Sequence, residues 1–130
     1  MFNIQGLREL NLSRNVLTEI PSALYQLQNL EVLDLTNNFI RKIDGNGLGG
    51  LARLRKLKLG NNLLAHLPFS LVLTDVKTLI VQDNLLVSYH SFPYYTLKDR
   101  GTKIRLSDKS SRIAPREGIV YSRLWLVGDE

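Results

Sequence analysis

His66 and His90 are the only imidazoles in the chain, and no cysteine occurs. Thiol nucleophiles, disulfides and cysteine-bound metals are thereby excluded, and neither histidine has a second ligand at the spacing a metal centre or base–nucleophile pair requires. Asp44-Gly45-Asn46-Gly47-Leu48-Gly49-Gly50 has the glycine content of a phosphate-binding loop, but no Lys-Ser or Lys-Thr follows it; the lysine and the hydroxyl are what such a loop uses on phosphate and magnesium. Asp44 with Asn46 supplies too few oxygens for a calcium loop. No serine elbow or paired-histidine zinc motif occurs. The expectation is therefore a non-enzyme with no cofactor and no metal. The chemistry that remains is recognition by charge and apolar contact, and it depends on which elements display which side chains.

Those elements follow from a spacing that occurs four times: LRELNLSRNVLTEIP from Leu7, LEVLDLTNNFIRKID from Leu30, LRKLKLGNNLLAHLP from Leu54 and VKTLIVQDNLLVSYH from Val76. Each copy reads LxxLxLxxNxL with tolerated Val and Ile, and its asparagines are Asn15, Asn38, Asn62 and Asn84. Alternation by two in Leu10-Asn11-Leu12, Leu33-Asp34-Leu35, Leu57-Lys58-Leu59 and Leu79-Ile80-Val81 gives a short strand with one apolar face. One copy cannot bury that face alone, so stacked copies share a core and their strands form a parallel sheet. The asparagine turns the chain out of the strand, and its amide both donates and accepts inside the stack.

This pattern resembles the leucine-rich-repeat family over the first 90 residues or so, the matching scaffold positions being Leu7, Leu10, Leu12, Asn15 and their counterparts. Repeats of about 23 residues, Ile20-Pro21, Leu67-Pro68 and the absence of cysteine resemble the intracellular type. The resemblance implies an α/β solenoid: curved, with a parallel β-sheet on the concave face and short helical or irregular returns on the convex side. It also implies a scaffold or adaptor of intracellular signalling that binds protein on its concave sheet. It transfers no particular binding residue, and four clear repeats without a recognisable end cap are a departure from the family.

The expected division is residues 1–89 as repeats, 90–106 as a C-terminal cap or degenerate fifth repeat, and 107–130 as a polar linker followed by an apolar segment. In the first return Ser22 is a candidate helix cap, and Leu24, Leu27 and Leu30 face inward. The glycines after Asp44 predict an irregular loop in the second return. The third runs through Leu67-Pro68, Leu71 and Leu73. A fifth copy threaded from Gly101 puts Ile104 and Leu106 on strand positions; a hairpin through Asp99-Arg100-Gly101 competes with it. SDKSSRIAPRE from Ser107 is polar and expected to be mobile, whereas GIVYSRLWLV from Gly118 either docks on the solenoid or anchors a partner through Tyr121 and Trp125. At the other end Phe2 and Ile4 can cover only part of the first repeat. The chain is then a piece of a longer array, pairs its open end with another chain, or folds its N-terminus back.

The residues between the leucines make the concave face. One column across the strands runs Arg8, Glu31, Arg55, Lys77, and another Asn11, Asp34, Lys58, Ile80. Opposite charges face each other across strands one to three, while Lys56, Lys58 and Lys77 are expected to form a basic patch beside Val32 and Ile80. The candidate protein-binding set is Arg8, Glu31, Val32, Asp34, Arg55, Lys56, Lys58, Lys77 and Ile80. A net charge of +5 and pI near 9.7 suit an acidic partner. A nucleic-acid-associated basic adaptor is the alternative, disfavoured because no concave position is aromatic; a fragment without independent function is a further one. With no apolar run approaching about 18 residues and no basic-then-apolar leader, the expectation is a chain that does not enter the membrane and works in the cytoplasm, with the nucleus as an alternative. Asn11-Leu12-Ser13 is a glycosylation sequon in form, discounted because Asn11 lies within a strand. Oligomeric state is not legible.

Overall fold

The computed structural model of the protein describes residues 4–44, 46–86 and 92–106. Five three-residue strands, β1 (Glu9–Asn11), β2 (Val32–Asp34), β3 (Lys56–Lys58), β4 (Thr78–Ile80) and β5 (Lys103–Arg105), form one sheet in sequence order. Every neighbouring pair is parallel, with Leu10, Leu33, Leu57, Leu79 and Ile104 in register at the strand centres. A one-residue slip would turn each apolar set to the opposite face, so alternation fixes this register. The result is the curved repeat solenoid anticipated from the leucine spacing.

The centre of the stack is leucine. Leu30, Leu33, Leu35, Leu54, Leu57, Leu59 and Leu79 are fully buried, each side chain contributing about 1.5–3 kcal/mol relative to exposure. Asn38, Asn62 and Asn84 are buried beside them and join consecutive repeats. The Asn62 side-chain amide donates to the carbonyls of Leu59 in its own repeat and Leu35 in the one before, while its Oδ1 accepts the Ile40 amide, at 3.1, 3.0 and 3.0 Å. Asn38 repeats this with Leu35, Leu12 and the Leu17 amide, and Asn84 with Val81, Leu59 and the Leu64 amide. Asn15 is exposed and donates only within its own turn, to Leu12 and Ser13. The residue before each asparagine has a left-handed backbone, with φ of 59° at Arg14, 61° at Asn37, 57° at Asn61 and 56° at Asp83. Asn and Asp tolerate that region better than most residues.

The returns are turns of 3₁₀ helix at Ser22–Gln26, Gly47–Gly50 and Phe69–Leu73. Ser22 does not cap the first: Pro21 holds the cap position and no side chain bonds the free amides. Pro21 has no amide to satisfy and its fixed φ leads into the turn. Leu27 and Leu30 are buried as expected, and Leu24 partly so. The irregular loop expected in the second return is instead ordered as 3₁₀ helix, with Leu48 buried. The glycines serve packing there. A Cβ at Gly47 would collide with the Cζ end of the Tyr25 ring, and one at Gly50 with the Tyr25 carbonyl. In the third return Leu71 is buried, but Leu73 is half exposed.

Beyond the fourth repeat the chain forms α1 (Phe92–Asp99), with Pro93 in the first turn where its missing amide costs nothing. Tyr94 and Leu97 of α1, with Leu106, close the C-terminal end of the core. Arg100 donates to the carbonyls of Val72 and Thr74, and the Thr102 hydroxyl to that of Val76, at 2.9, 3.3 and 2.9 Å. The turn through Gly101, at φ 91°, leads into β5. Because β5 is parallel to β4, a hairpin is not formed, and Ile104 occupies the strand position read for it. At the N-terminal end Leu7, Leu10, Leu12 and Leu17 are only partly buried, and Ile4 is 54% exposed. The expectations for Phe2, Tyr89, His90 and residues 107–130, including Tyr121 and Trp125, lie outside the described residues.

Candidate functional site: the concave face

The short strands hold the concave side chains in columns one rung apart. Register places Glu9, Val32, Lys56, Thr78 and Lys103 in one row and Asn11, Asp34, Lys58, Ile80 and Arg105 in another. The row of Arg8, Glu31, Arg55 and Lys77 lies just ahead of the strands. Its register is set by main-chain bonds from Glu31 to Arg8, Arg55 to Glu31 and Lys77 to Arg55, at 2.7, 2.8 and 2.7 Å.

Charge is balanced on the N-terminal side. Glu31 sits between two guanidinium groups, 3.5 Å from Arg8 and 3.3 Å from Arg55, and Asp34 lies 3.9 Å from Lys58. These are the opposite-charge contacts expected across strands one to three. The arginines are 71% and 61% exposed, so each pair contributes a few tenths of a kcal/mol and mainly orients the side chains. Asp34 also accepts the Thr36 amide, which fixes its carboxylate at the strand end. A depression of about 320 Å³ lies over this region, lined by Glu9, Leu10, Asn11, Val32, Asp34 and Lys58.

The basic patch differs from the expectation. Lys58 has Asp34 beside it, and Lys77 lies 3.7 Å from Asp75, so two of its three predicted members have a carboxylate neighbour. Asp75 was missed because it precedes the repeat's first position and turns back onto Lys77. On the strands themselves, Lys56 of β3 and Lys103 and Arg105 of β5 have no ion-pair partner among the described residues. Lys103 and Arg105 escaped the sequence reading because β5 was not settled as a strand. The alternation Lys103-Ile104-Arg105 was the available signal. Val32 and Ile80 are half-buried, each between two longer polar neighbours in its row.

On the opposite side Tyr25 lies against Glu19, Lys42 and Asp44 in a groove of about 430 Å³. Burial raises the Tyr25 phenol above its usual range, the nearby Asp44 and Glu19 carboxylates add to that, and the Asp44 main chain opposes it. His66 is exposed in its turn. Among the described residues no cluster of three or more His, Asp or Glu is placed to hold a metal, and no helix is long and apolar enough to cross a membrane.

The profile described as leucine rich repeat matches residues 5–64. Over 68 residues the chain is 40% identical to a probable serine/threonine-protein kinase of Dictyostelium discoideum, covering 52% of this chain and 5% of that one. It is 42% identical over 75 residues to Toll-like receptor 6 of Bos taurus, covering 58% of this chain and 9% of the receptor. A leucine-rich-repeat protein of Leptospira interrogans superimposes with a TM-score of 0.62 at 32% identity, covering 75% of this chain and 25% of that one. The chain thus spans a small part of each, and the shared part is the repeat array, a fold that is typically a non-catalytic interaction surface. The asparagine ladder, the parallel three-residue strands and these matches together identify residues 5–64 as leucine-rich repeats.

Proposed function

We propose that the chain is a non-enzymatic protein-interaction module, a scaffold or adaptor in intracellular signalling, which holds a partner protein on its concave sheet. The observation that carries this reading is the concave face itself: short strands display two rows of side chains in which charged groups surround the half-buried Val32 and Ile80. Desolvating those apolar side chains supplies contact energy, while Arg8, Glu31, Asp34, Arg55, Lys56, Lys58 and Lys77 orient the partner and reject wrong ones. We place the protein in the cytoplasm, a reading supported by a cysteine-free chain of this repeat type.

The test is affinity capture from nuclease-treated lysate, comparing the wild type with the Lys56→Glu, Lys58→Glu, Lys77→Glu variant. The expected result is defined proteins retained by the wild type and lost by the variant, with unchanged circular dichroism. Equal retention by both removes the concave face from the function, and retention that nuclease alone abolishes transfers it to nucleic acid.

A further inference from the structure

The register of β3, β4 and β5 surrounds one apolar side chain with cations. Thr78 lies between Lys56 and Lys103, and Ile80 between Lys58 and Arg105. Four basic side chains therefore stand at the corners of a rectangle whose middle is a hydroxyl and a half-buried isoleucine. Adjacent parallel strands are about 4.8 Å apart, so the cations facing each other across β4 are rooted about 9.6 Å apart. Lys56, Lys103 and Arg105 have no ion-pair partner among the described residues, and only Lys58 shares a carboxylate, at 3.9 Å. Lys103 and Arg105 are exposed.

We propose that this rectangle is the docking point for an acidic helical segment of a protein partner, one that presents an apolar side chain between two carboxylates. The spacing argues for a helix. Seven residues of α-helix rise about 10.5 Å, close to two rungs of the sheet, and a leucine at the third or fourth position of that interval lies on the same face, over Ile80. An extended chain crossing the strands places same-face side chains at multiples of about 6.7 Å, which matches neither the single rung nor the double one, and one running along them matches the Lys56–Lys58 or Lys103–Arg105 edge but has no Ile80 between its two carboxylates. The apolar floor distinguishes this site from a general polyanion surface, because it rewards removal of an apolar group from water. The proposal rests on the reading of the concave face as a protein-binding surface and adds the partner's chemistry and the two β5 residues.

The probe is a fluorescent alanine-rich helix of about 18 residues carrying Glu at i and i+7 with Leu at i+3 and i+4. It is titrated by anisotropy against the full chain at low and moderate salt. The expected result is saturable binding that weakens about tenfold or more in the Lys103→Glu, Arg105→Glu variant and in Ile80→Gln, all with wild-type circular dichroism. Replacing the probe's leucines, or its glutamates, by glutamine should give a comparable loss. The proposal is overturned if the wild type does not bind the probe or the charge-reversed variant binds it equally. It is also overturned if the leucine-free probe binds as well, or if a single-stranded oligonucleotide of equal charge binds more tightly. Lysate capture that still depends on Lys56, Lys58 and Lys77 while the probe fails leaves the interaction module standing and removes only the acidic-helix partner.

Discussion

The four asparagines are identical in the repeat pattern but not in what their surroundings ask of them. Asn62 is 4% exposed and holds the Leu35 and Leu59 carbonyls together with the Ile40 amide. Truncating it leaves the buried Ile40 amide without its acceptor, at a cost of about 1–3 kcal/mol, and takes one of two side-chain donors from each carbonyl, Leu35 keeping the Asn38 amide and Leu59 that of Asn84. Asn62→Ala should therefore destabilise the protein by at least ~2 kcal/mol in urea denaturation, whereas Asn15→Ala, exposed and bonded only within its own turn, should cost less than about 1 kcal/mol. Equal losses would mean that the first repeat is as enclosed as the third. The sequence marked all four asparagines because their positions repeat, and it marked their donating and accepting role because an amide is the side chain able to fill it. It did not reveal the left-handed residue ahead of each one. Asn37, Asn61 and Asp83 suit that backbone, but Arg14 carries no signal for it. The concave ion pairs were legible between strands, where the columns place Glu31 beside Arg8 and Arg55. They were not legible where the chain doubles back, as at Asp75 and Lys77.

Strands were more legible than returns, for a physical reason. A strand position is dictated by alternation, which is local, whereas a return is dictated by its neighbour in the stack. The run Gly47-Leu48-Gly49-Gly50 has poor helical propensity, yet it winds as 3₁₀ helix because the Tyr25 ring and carbonyl of the preceding return occupy the space that side chains would need. Here tertiary packing overrides propensity. Gly47→Ala should cost about 1–3 kcal/mol through overpacking. Tyr25→Ala, itself destabilising, should remove most of that additional penalty in a double-mutant cycle. Gly50→Ala should not be relieved in this way, since its Cβ meets the Tyr25 carbonyl and main chain remains whatever the side chain is. Rescue of both glycine variants by Tyr25→Ala would show that the second return is held by ring packing alone. The same neighbour logic explains β5. Its sequence has lost most of the leucine pattern, but β4 offers a row of free main-chain groups, and Thr102 and Arg100 tie the approach to Val76, Val72 and Thr74.

At the scale of the whole molecule the two ends of the array are unequal. The C-terminal end is closed by Tyr94, Leu97 and Leu106, while Leu10 and Leu12 at the other remain partly exposed. In a repeat stack each unit is stabilised by its own packing and by nearest-neighbour interfaces, so a unit with one well-buried interface opens at lower free energy than one with two. The amides just after the strands are bonded alike: Leu12 donates to the carbonyl of Asp34, Leu35 to that of Lys58 and Leu59 to that of Ile80 at 2.8, 2.8 and 2.7 Å, so bond geometry does not distinguish them. Burial does, since Leu35 and Leu59 are fully enclosed and Leu12 is not. Hydrogen exchange should accordingly be fastest at the Leu12 amide and slowest at Leu35 and Leu59, with Leu12 independent of protein concentration. If Leu12 instead became protected as concentration rose, a second copy would be covering β1. Protection equal to that of Leu59 at every concentration would mean that the array opens only as a unit. Fast exchange at Leu12 beside slow exchange at Leu59 would leave the acid-balanced half of the concave face on the softer part of the molecule. The cationic rectangle around Ile80 would then stand on the stiffer part, where a partner finds its side chains already in register.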